Sequence, residues 1–489
     1  MSENTSKERW YAGITRYQWL VLVICLIGWM FDIFEGQIYV AVQSEAMPAL
    51  IAKSYEINLG EAKQRAEIYN QLALISFLLG GTLGGVVFGM MSDRIGRKQT
   101  MAWSILFYSF FTGLTAFSGA WWHLVILRFF VAIGVGGQWA VASAFVAETF
   151  PSKARAHAAS MFHAFGSFGT LLAAFIGALM LGNAAVLAWI NEAAILDWAR
   201  SLYDIESIPT TIPWRLCFAL GLLPSIAVFF IFSHLKEPES WKHAQEEAKK
   251  DPTKKVGSIV DLFQKSTIRS TVIGVSLAAI GMATFWGVHI RGKDAMRDVA
   301  RTQMVVEEKV VVEIDSEGKE KRNFTDDQTA EIKRWEMFGM IIVTLGLLFG
   351  QLSFGPLSQR IGRRGAFVFF HIGAFIIAVA VFQLSKHMTS VTPLYVLLPI
   401  FGFFTAGMHS GYAVYFPELF PTRLRGTGVG FCFNMGRFMA SPILLFLGVM
   451  VSWADISFMD AFTILSFFYL LGPIAILYAK ETRGQELME

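Results

Sequence analysis

The chain has 489 residues, 54% of them hydrophobic and 16% charged, with a formal net charge of +3 and a mean hydropathy of +0.49. A water-soluble protein of this length needs a more polar surface, and so small a net charge, carried in short scattered clusters, excludes a nucleic-acid-binding face. A helix needs roughly 20 mainly apolar residues to cross a bilayer; such runs recur along the chain without the alternation over ~10 residues that marks barrel strands.

Helices are predicted over 17–43, 70–91, 99–118, 122–147, 156–182, 214–234, 270–290, 337–358, 365–385, 391–416, 427–451 and 456–478. Lys7, Arg9 and Arg16 precede the apolar stretch from Trp19 to Phe31, in the outline of a secretory leader. The stretch continues to Val42 with no small-residue cleavage site, so the reading is a retained first helix. Twelve spans place both termini on one side of the membrane.

Basic residues set which side that is. One group of connections carries Arg94, Arg97 and Lys98, then Lys153 and Arg155, then Arg360, Arg363 and Arg364, then Arg423 and Arg425. The opposite short connections carry Lys386 alone. The basic group is therefore read as cytoplasmic, with both termini, in a plasma or inner membrane. Residues 235–269 form a cytoplasmic linker with short surface helices, while 183–213 and 291–336 are long outer connections. Alternation on either side of Ser316-Glu317-Gly318 suggests a small hairpin in the second of these. Cys25, Cys217 and Cys432 each lie inside an apolar run, which gives neither a disulfide framework nor zinc-ligand spacing.

The most informative feature is a repeat. Phe88-Gly-Met-Met-Ser-Asp-Arg-Ile-Gly-Arg-Lys98 returns as Phe354-Gly-Pro-Leu-Ser-Gln-Arg-Ile-Gly-Arg-Arg364, seven of eleven positions identical and 266 residues on. Glu148-Thr-Phe-Pro-Ser-Lys-Ala-Arg155 returns as Glu418-Leu-Phe-Pro-Thr-Arg-Leu-Arg425, 270 residues on. Two matches in register divide the chain into an N-terminal six-helix bundle (1–234), the linker (235–269) and a C-terminal six-helix bundle (270–489). Two such bundles can rock about a central site and open it to each face in turn.

These motifs resemble the loop signature of the major facilitator superfamily: Gly89, Asp93, Arg94, Gly96, Arg97 and Lys98, with their second copy. The fourth helix, from Arg128 through Gly134, Gly136 and Gly137 to Glu148, Pro151 and Arg155, is similar to the metabolite:proton symporter and sugar-porter branches. Pro238-Glu239-Ser240 and Lys480-Glu481-Thr482-Arg483-Gly484 are similar to sugar-porter tags. Ser143, Phe145, Gln138 and Gln359 depart from those patterns and argue against a hexose. The resemblance implies an all-α integral membrane protein of twelve transmembrane helices working by alternating access.

A charge at mid-bilayer costs roughly 2.5–3.5 kcal/mol on insertion scales, so intramembrane charges point to function. Asp32 and Glu35 share a face of the first helix with Tyr39. A carboxyl in low dielectric is suited to cycle a proton near neutral pH. In related symporters an arginine of the fourth helix partners such a residue; Arg128 matches it, giving an expected Asp32–Arg128 pair. The competing reading is a permanent structural ion pair. Arg437, mid-way along the eleventh helix with Asn434 and Ser441 on its face, invites a carboxylate, which a guanidinium takes in bidentate fashion. It could equally pair with Asp32 or Glu35. His163, Ser167 and Thr170 on the fifth helix, Thr405, His409 and Tyr412 on the tenth, and Gln138 are further candidates for lining a cavity, weighed against packing roles.

Asp93 and nearby cations can reach helix ends and latch one state. Family analogy adds Glu148 with Arg97 or Arg155, and Glu418 with Arg363 or Arg425, with Arg360 beside them. Positive-inside anchoring accounts for part of this pattern. Small residues at Gly80, Gly84, Gly134 and Gly137 read as helix packing, and no G-x-x-x-x-G-K-[ST] run supports ATP drive. No nucleophile–base pair marks an enzyme. The expectation is a proton-coupled symporter of a small organic anion, a carboxylate or sugar acid. It needs no cofactor, metal or obligatory protein partner. A neutral sugar porter and a non-transporting sensor are the alternatives.

Overall fold

The computed structural model describes residues 9–192, 211–251, 254–307, 311–314, 320–453 and 457–488. A helical segment occupies each of the twelve expected spans. The first five helices are Arg16–Tyr55, Leu59–Ile95, Arg97–Thr115, Trp121–Thr149 and Ser152–Gly182. The sixth is in two pieces, Thr211–Ala219 and Ser225–His234, and the seventh is Ile268–Gly287. The eighth and ninth run together as Asp326–Ser385, broken in backbone conformation at Gly362. The tenth comprises Leu394–Gly407 and His409–Tyr415; the eleventh is Arg425–Trp453; the twelfth comprises Phe458–Ser466 and Leu471–Leu477. Among the described residues nine helices are long and apolar enough to cross a membrane, Asp327–Ser385 covering two predicted spans at once.

The structure departs from the predicted spans chiefly where helices leave the apolar zone. The first helix runs to Tyr55 rather than 43, and the second begins at Leu59 rather than 70. Between them Glu56 takes a left-handed conformation (φ 53°), and Asn58 caps the next helix by accepting from the Glu61 amide at 2.9 Å. Polar residues at 43–45 and charged ones at 61, 63, 65 and 67 interrupt the apolar runs, so run length stopped short of the helix ends, although Met47, Leu50 and Ile51 beyond the first interruption are buried. Part of the connection 291–336 is likewise helical: the amphipathic helix Gly292–Val306 buries Ala295, Met296, Val299, Ala300 and Met304. It leads to a hairpin of Val311–Ile314 against Glu320–Asn323, antiparallel, with Val311 opposite Asn323. The linker carries the surface helix Glu239–Lys250.

Packing divides the chain into two compact units. One comprises Met1–Thr271, Phe416–Phe438 and Glu486–Glu489, so it includes the linker and the start of the eleventh helix; the other comprises Val272–Tyr415 and Met439–Gln485. Within the first, the second and fourth helices touch backbone to backbone. A Cβ on Gly80 or Gly84 would strike the carbonyl of Phe129 or Ile133. Within the second, a Cβ on Gly346 or Gly350 would strike the carbonyl of Pro399 or Phe403. These glycine pairs are separated by the same 266 residues, and their partners by the same 270, as the two sequence motifs. Contacts this close let van der Waals packing hold helices where no hydrophobic drive exists between them.

The same repetition governs how the third and ninth helices begin. Gly96 (φ 112°, ψ 160°) and Gly362 (φ 84°, ψ 165°) take conformations open only to glycine. Each turn lays the next helix start against a carboxylate. Glu237 accepts from the amides of Arg97 at 2.7 Å, Lys98 at 3.3 Å and Gln99 at 3.3 Å. Glu481 accepts from those of Arg363 at 2.9 Å and Arg364 at 3.1 Å. Both satisfy amides that a helix start leaves unpaired. Burial outweighs these bonds at Glu237 and raises its pKa; at Glu481 burial also acts upward, but the amides of Arg363, Arg364 and Arg483 win and hold it below the usual carboxylate range.

Gly96→Ala and Gly362→Ala should each destabilise the fold by about 1–3 kcal/mol through backbone strain alone, read as a lower thermal midpoint in detergent. The depressed pKa of Glu481 means that its stabilising contribution is complete above the unfolded value of ~4.3 and is lost as pH falls through the folded value. Thermal midpoints measured across acid pH should therefore fall less steeply in Glu481→Gln than in the wild type.

Candidate functional site

The acidic face of the first helix is fully buried. Neither carboxylate oxygen of Asp32 or of Glu35 has a hydrogen-bond partner among the described residues. Arg128 does not form the expected pair with Asp32. Its guanidinium donates to the backbone carbonyls of Glu35 at 3.1 Å and Gly36 at 3.2 Å. It also lies 4.1 Å from the Phe77 ring centre and 5.0 Å from that of Tyr39, whose hydroxyl donates to Asn70 at 2.6 Å. The reason is positional: Arg128 meets the first helix one turn beyond Asp32, where carbonyls and π faces receive its charge. Its field reaches Glu35, whereas the cation acting on Asp32 is Arg437.

Arg437 sits on the eleventh helix, 4.7 Å from the Phe433 ring centre, with Nη1 3.4 Å from Asn434 Oδ1. A Cβ on Gly81 of the second helix would be 3.5 Å from Nη1. Asn434 is buried and donates to the Gly136 carbonyl at 3.2 Å. Gln138 is also buried, its amide packed against Gly28 of the first helix with neither polar atom hydrogen-bonded among the described residues. Next to it Trp139 stacks on Phe433 at 3.8 Å and donates from Nε1 to His163 Nδ1 at 3.0 Å. The His163 carbonyl accepts from Trp29 at 2.9 Å. The side chain of Ser441 lies outside the described residues.

In the other unit, His409 Nδ1 is 3.1 Å from the Ala406 carbonyl and Nε2 is 3.3 Å from that of Gly281. Tyr412 donates to the Leu277 carbonyl at 3.0 Å. Thr405 meets His289 Nδ1 at 2.7 Å, and Phe285 stacks on the His289 ring at 4.9 Å. His409 and Tyr412 thus tie the tenth helix to the backbone of the seventh.

The predicted latch residues are drawn together most tightly. Asp93 Oδ1 accepts from Arg97 at 2.8 Å and the Gly426 amide at 2.9 Å; Oδ2 accepts from the Thr427 amide at 2.8 Å and its hydroxyl at 2.6 Å. Gly89 permits this approach, since a Cβ there would lie 2.7 Å from the Gly426 carbonyl. Arg97 also binds Glu148 through both Nη2 (2.8 Å) and Nε (3.1 Å), and Glu148 binds Arg425 at 2.7 Å. These side chains are 0% exposed. Of the two partners weighed for Glu148, Arg97 is the one present; Arg155 donates to the Ala147 carbonyl at 3.0 Å, as Arg425 does to that of Pro417. Arg94 donates to the Gly257 carbonyl at 3.1 Å. In the other unit Arg363 donates to the Ser358 carbonyl at 3.2 Å, and the Arg360 carbonyl accepts from Arg483. Glu418 is buried in the turn Phe416–Leu419.

Sequence reasoning missed several participants. Trp241 and Gln245 of the linker both donate to the Asp93 carbonyl at 2.7 Å, and Arg423 pairs with Asp261 at 2.6 Å. Tyr108 is buried with its hydroxyl unpaired among the described residues, in the fields of Asp32 and Glu35. Only the position of Glu237 and Glu481 beside recognised tags offered a signal.

Residues 20–291 match the Major Facilitator Superfamily, and residues 309–489 match the sugar (and other) transporter family. A Haemophilus influenzae protein assigned to metabolite transport is 27% identical over 481 residues, covering 97% of this chain and 99% of that one. The sialic acid transporter NanX of Escherichia coli K12 is 24% identical over 439 residues, covering 89% and 88%. Among solved structures, the proton:xylose symporter XylE superposes with a TM-score of 0.67 at 16% identity, covering 96% and 98%, a likeness of fold. The first match spans more than half of the chain and places this multi-pass membrane protein in one family: the chain belongs to the major facilitator superfamily of solute transporters.

Proposed function

We propose that the protein is a proton-coupled symporter of a small organic anion, a carboxylate or sugar acid, working by alternating access. One observation carries the reading: Asp32 is fully buried without a hydrogen bond among the described residues, and lies in the field of Arg437. An ionised Asp32 and a substrate carboxylate compete for the same guanidinium. Protonation of Asp32 leaves Arg437 to bind the incoming acid, so proton and anion are taken up together. Gln138 and Asn434 stand beside this pair as hydrogen-bonding groups for the rest of the solute. Glu35, with Arg128 close by, is the second proton-binding candidate.

The network Asp93–Arg97–Glu148–Arg425 is the proposed gate, which opens when the solute leaves on that side. The proposed organisation is two six-helix halves, 1–234 and 270–489, with the linker 235–269 and both termini on the cytoplasmic face of a plasma or inner membrane. The repeated glycine contacts and repeated helix caps support the duplication. The E. coli relative that carries sialic acid, a sugar acid, supports the substrate class. A neutral sugar would not need Arg437.

In sealed vesicles, Asp32→Asn should abolish uptake driven by a pH gradient while leaving counterflow exchange; driven uptake at the wild-type rate removes Asp32 from coupling. Arg437→Lys should weaken uptake of the acid at least tenfold, the loss of a bond to a charged group being worth about 1.5–3 kcal/mol. Unchanged affinity in that variant would point to an uncharged solute. A panel of labelled acids and sugars, with and without the gradient, identifies the substrate. Asp93→Ala removes the acceptor at the start of the eleventh helix, and state-selective cysteine labelling should report a shift toward the open gate.

A further inference from the structure

Beside the proposed gate, and apart from the proposed solute site, the linker folds over the end of the second helix and lines an open cavity of about 530 Å³. Its wall carries Arg94, Lys254 and Lys255 together with Met90 and Val260, and no carboxylate. The segment is held in place. Gly257 (φ 61°) lies so close to the second helix that a Cβ would be 2.7 Å from the Met90 carbonyl. Arg94 donates to the Gly257 carbonyl at 3.1 Å, the Gly257 amide donates to the Arg423 carbonyl at 2.9 Å, and Arg423 donates to the Lys255 carbonyl at 2.8 Å. Lys254 pairs with Glu247 at 3.1 Å, both side chains at least half exposed, so this neighbour offsets only part of its charge.

Next to these cations the chain exposes apolar side chains. Val260 is 71% and Phe263 54% exposed, while Leu262 between them is fully buried. A fixed basic cavity with an apolar rim, at the end of a membrane-spanning helix, matches an amphiphile with an anionic head. Free phosphate would find the cations but has no use for the rim. We propose that this cavity binds the headgroup of an anionic phospholipid, with its acyl chains against Val260 and Phe263. The same linker donates to the Asp93 carbonyl through Trp241 and Gln245. A bound lipid therefore stabilises the linker in the arrangement that holds the closed gate.

The test is native mass spectrometry of the purified full chain given phosphatidylglycerol or phosphatidylcholine, with thermal midpoints in parallel. Phosphatidylglycerol should be retained preferentially and should raise the midpoint. Lys254→Gln/Lys255→Gln should lose that retention roughly 25-fold, the product of two basic residues at an anionic surface, while keeping the lipid-free midpoint. Val260→Ser/Phe263→Ser should also reduce retention. Equal retention of the two lipids, or unchanged retention in the lysine variant, overturns the proposal. Displacement of phosphatidylglycerol by equimolar inorganic phosphate overturns the lipid assignment in favour of a free-phosphate site.

Discussion

Four charges alternating in sign, Asp93, Arg97, Glu148 and Arg425, are buried in one chain of bonds that joins the second, third, fourth and eleventh helices. Charges withdrawn from water cost several kcal/mol each unless their partners are near ideal. Here Asp93 accepts four hydrogen bonds, and two of its donors are amides at the start of the eleventh helix. Removing one member of such a chain strands the rest, a cost of about 3–5 kcal/mol. Yet every member would be well solvated if the seam opened. The arrangement is firm when dry and replaceable by water when wet, which is what a reversible closure requires.

Arg128 and Arg437 meet the same cost differently. Arg128 spends its donors on carbonyls of the first helix and rests on Phe77 and Tyr39, so its charge is satisfied by groups that do not titrate near neutral pH. Arg437 acts instead on a carboxyl that can gain or lose a proton. The family resemblance pointed to Arg128 as the partner of Asp32, with Arg437 as an alternative. The choice turned on rotation and depth: a single helical turn separates Asp32 from the carbonyl that Arg128 reaches.

Much of the architecture was legible beforehand because the bilayer imposes it. Spanning helices must be apolar over a fixed length, and duplication leaves two copies of each motif to compare. The glycines at 80 and 84 announced close packing, and the structure shows the same contact one repeat interval on, at 346 and 350, which the sequence reading did not single out. What stayed hidden were helical segments beyond the predicted spans, such as 44–55 and 292–306, and contacts made at long sequence separation. Nothing in the spacing of Glu237 points to the amides of Arg97 and Lys98, and nothing in Trp241 or Gln245 points to the carbonyl of Asp93. In the same way, the sequence left Arg437 open between a substrate carboxylate and Asp32 or Glu35, and the choice among them depends on how the first and eleventh helices pack.

The bond from Trp139 to His163 fixes more than a distance. An indole nitrogen can only donate, so Nδ1 of the imidazole must offer its lone pair, and the ring hydrogen resides on Nε2. Together with the Trp29 bond to the same residue's carbonyl, the Trp139 bond makes His163 a strut bracing the first, fourth and fifth helices.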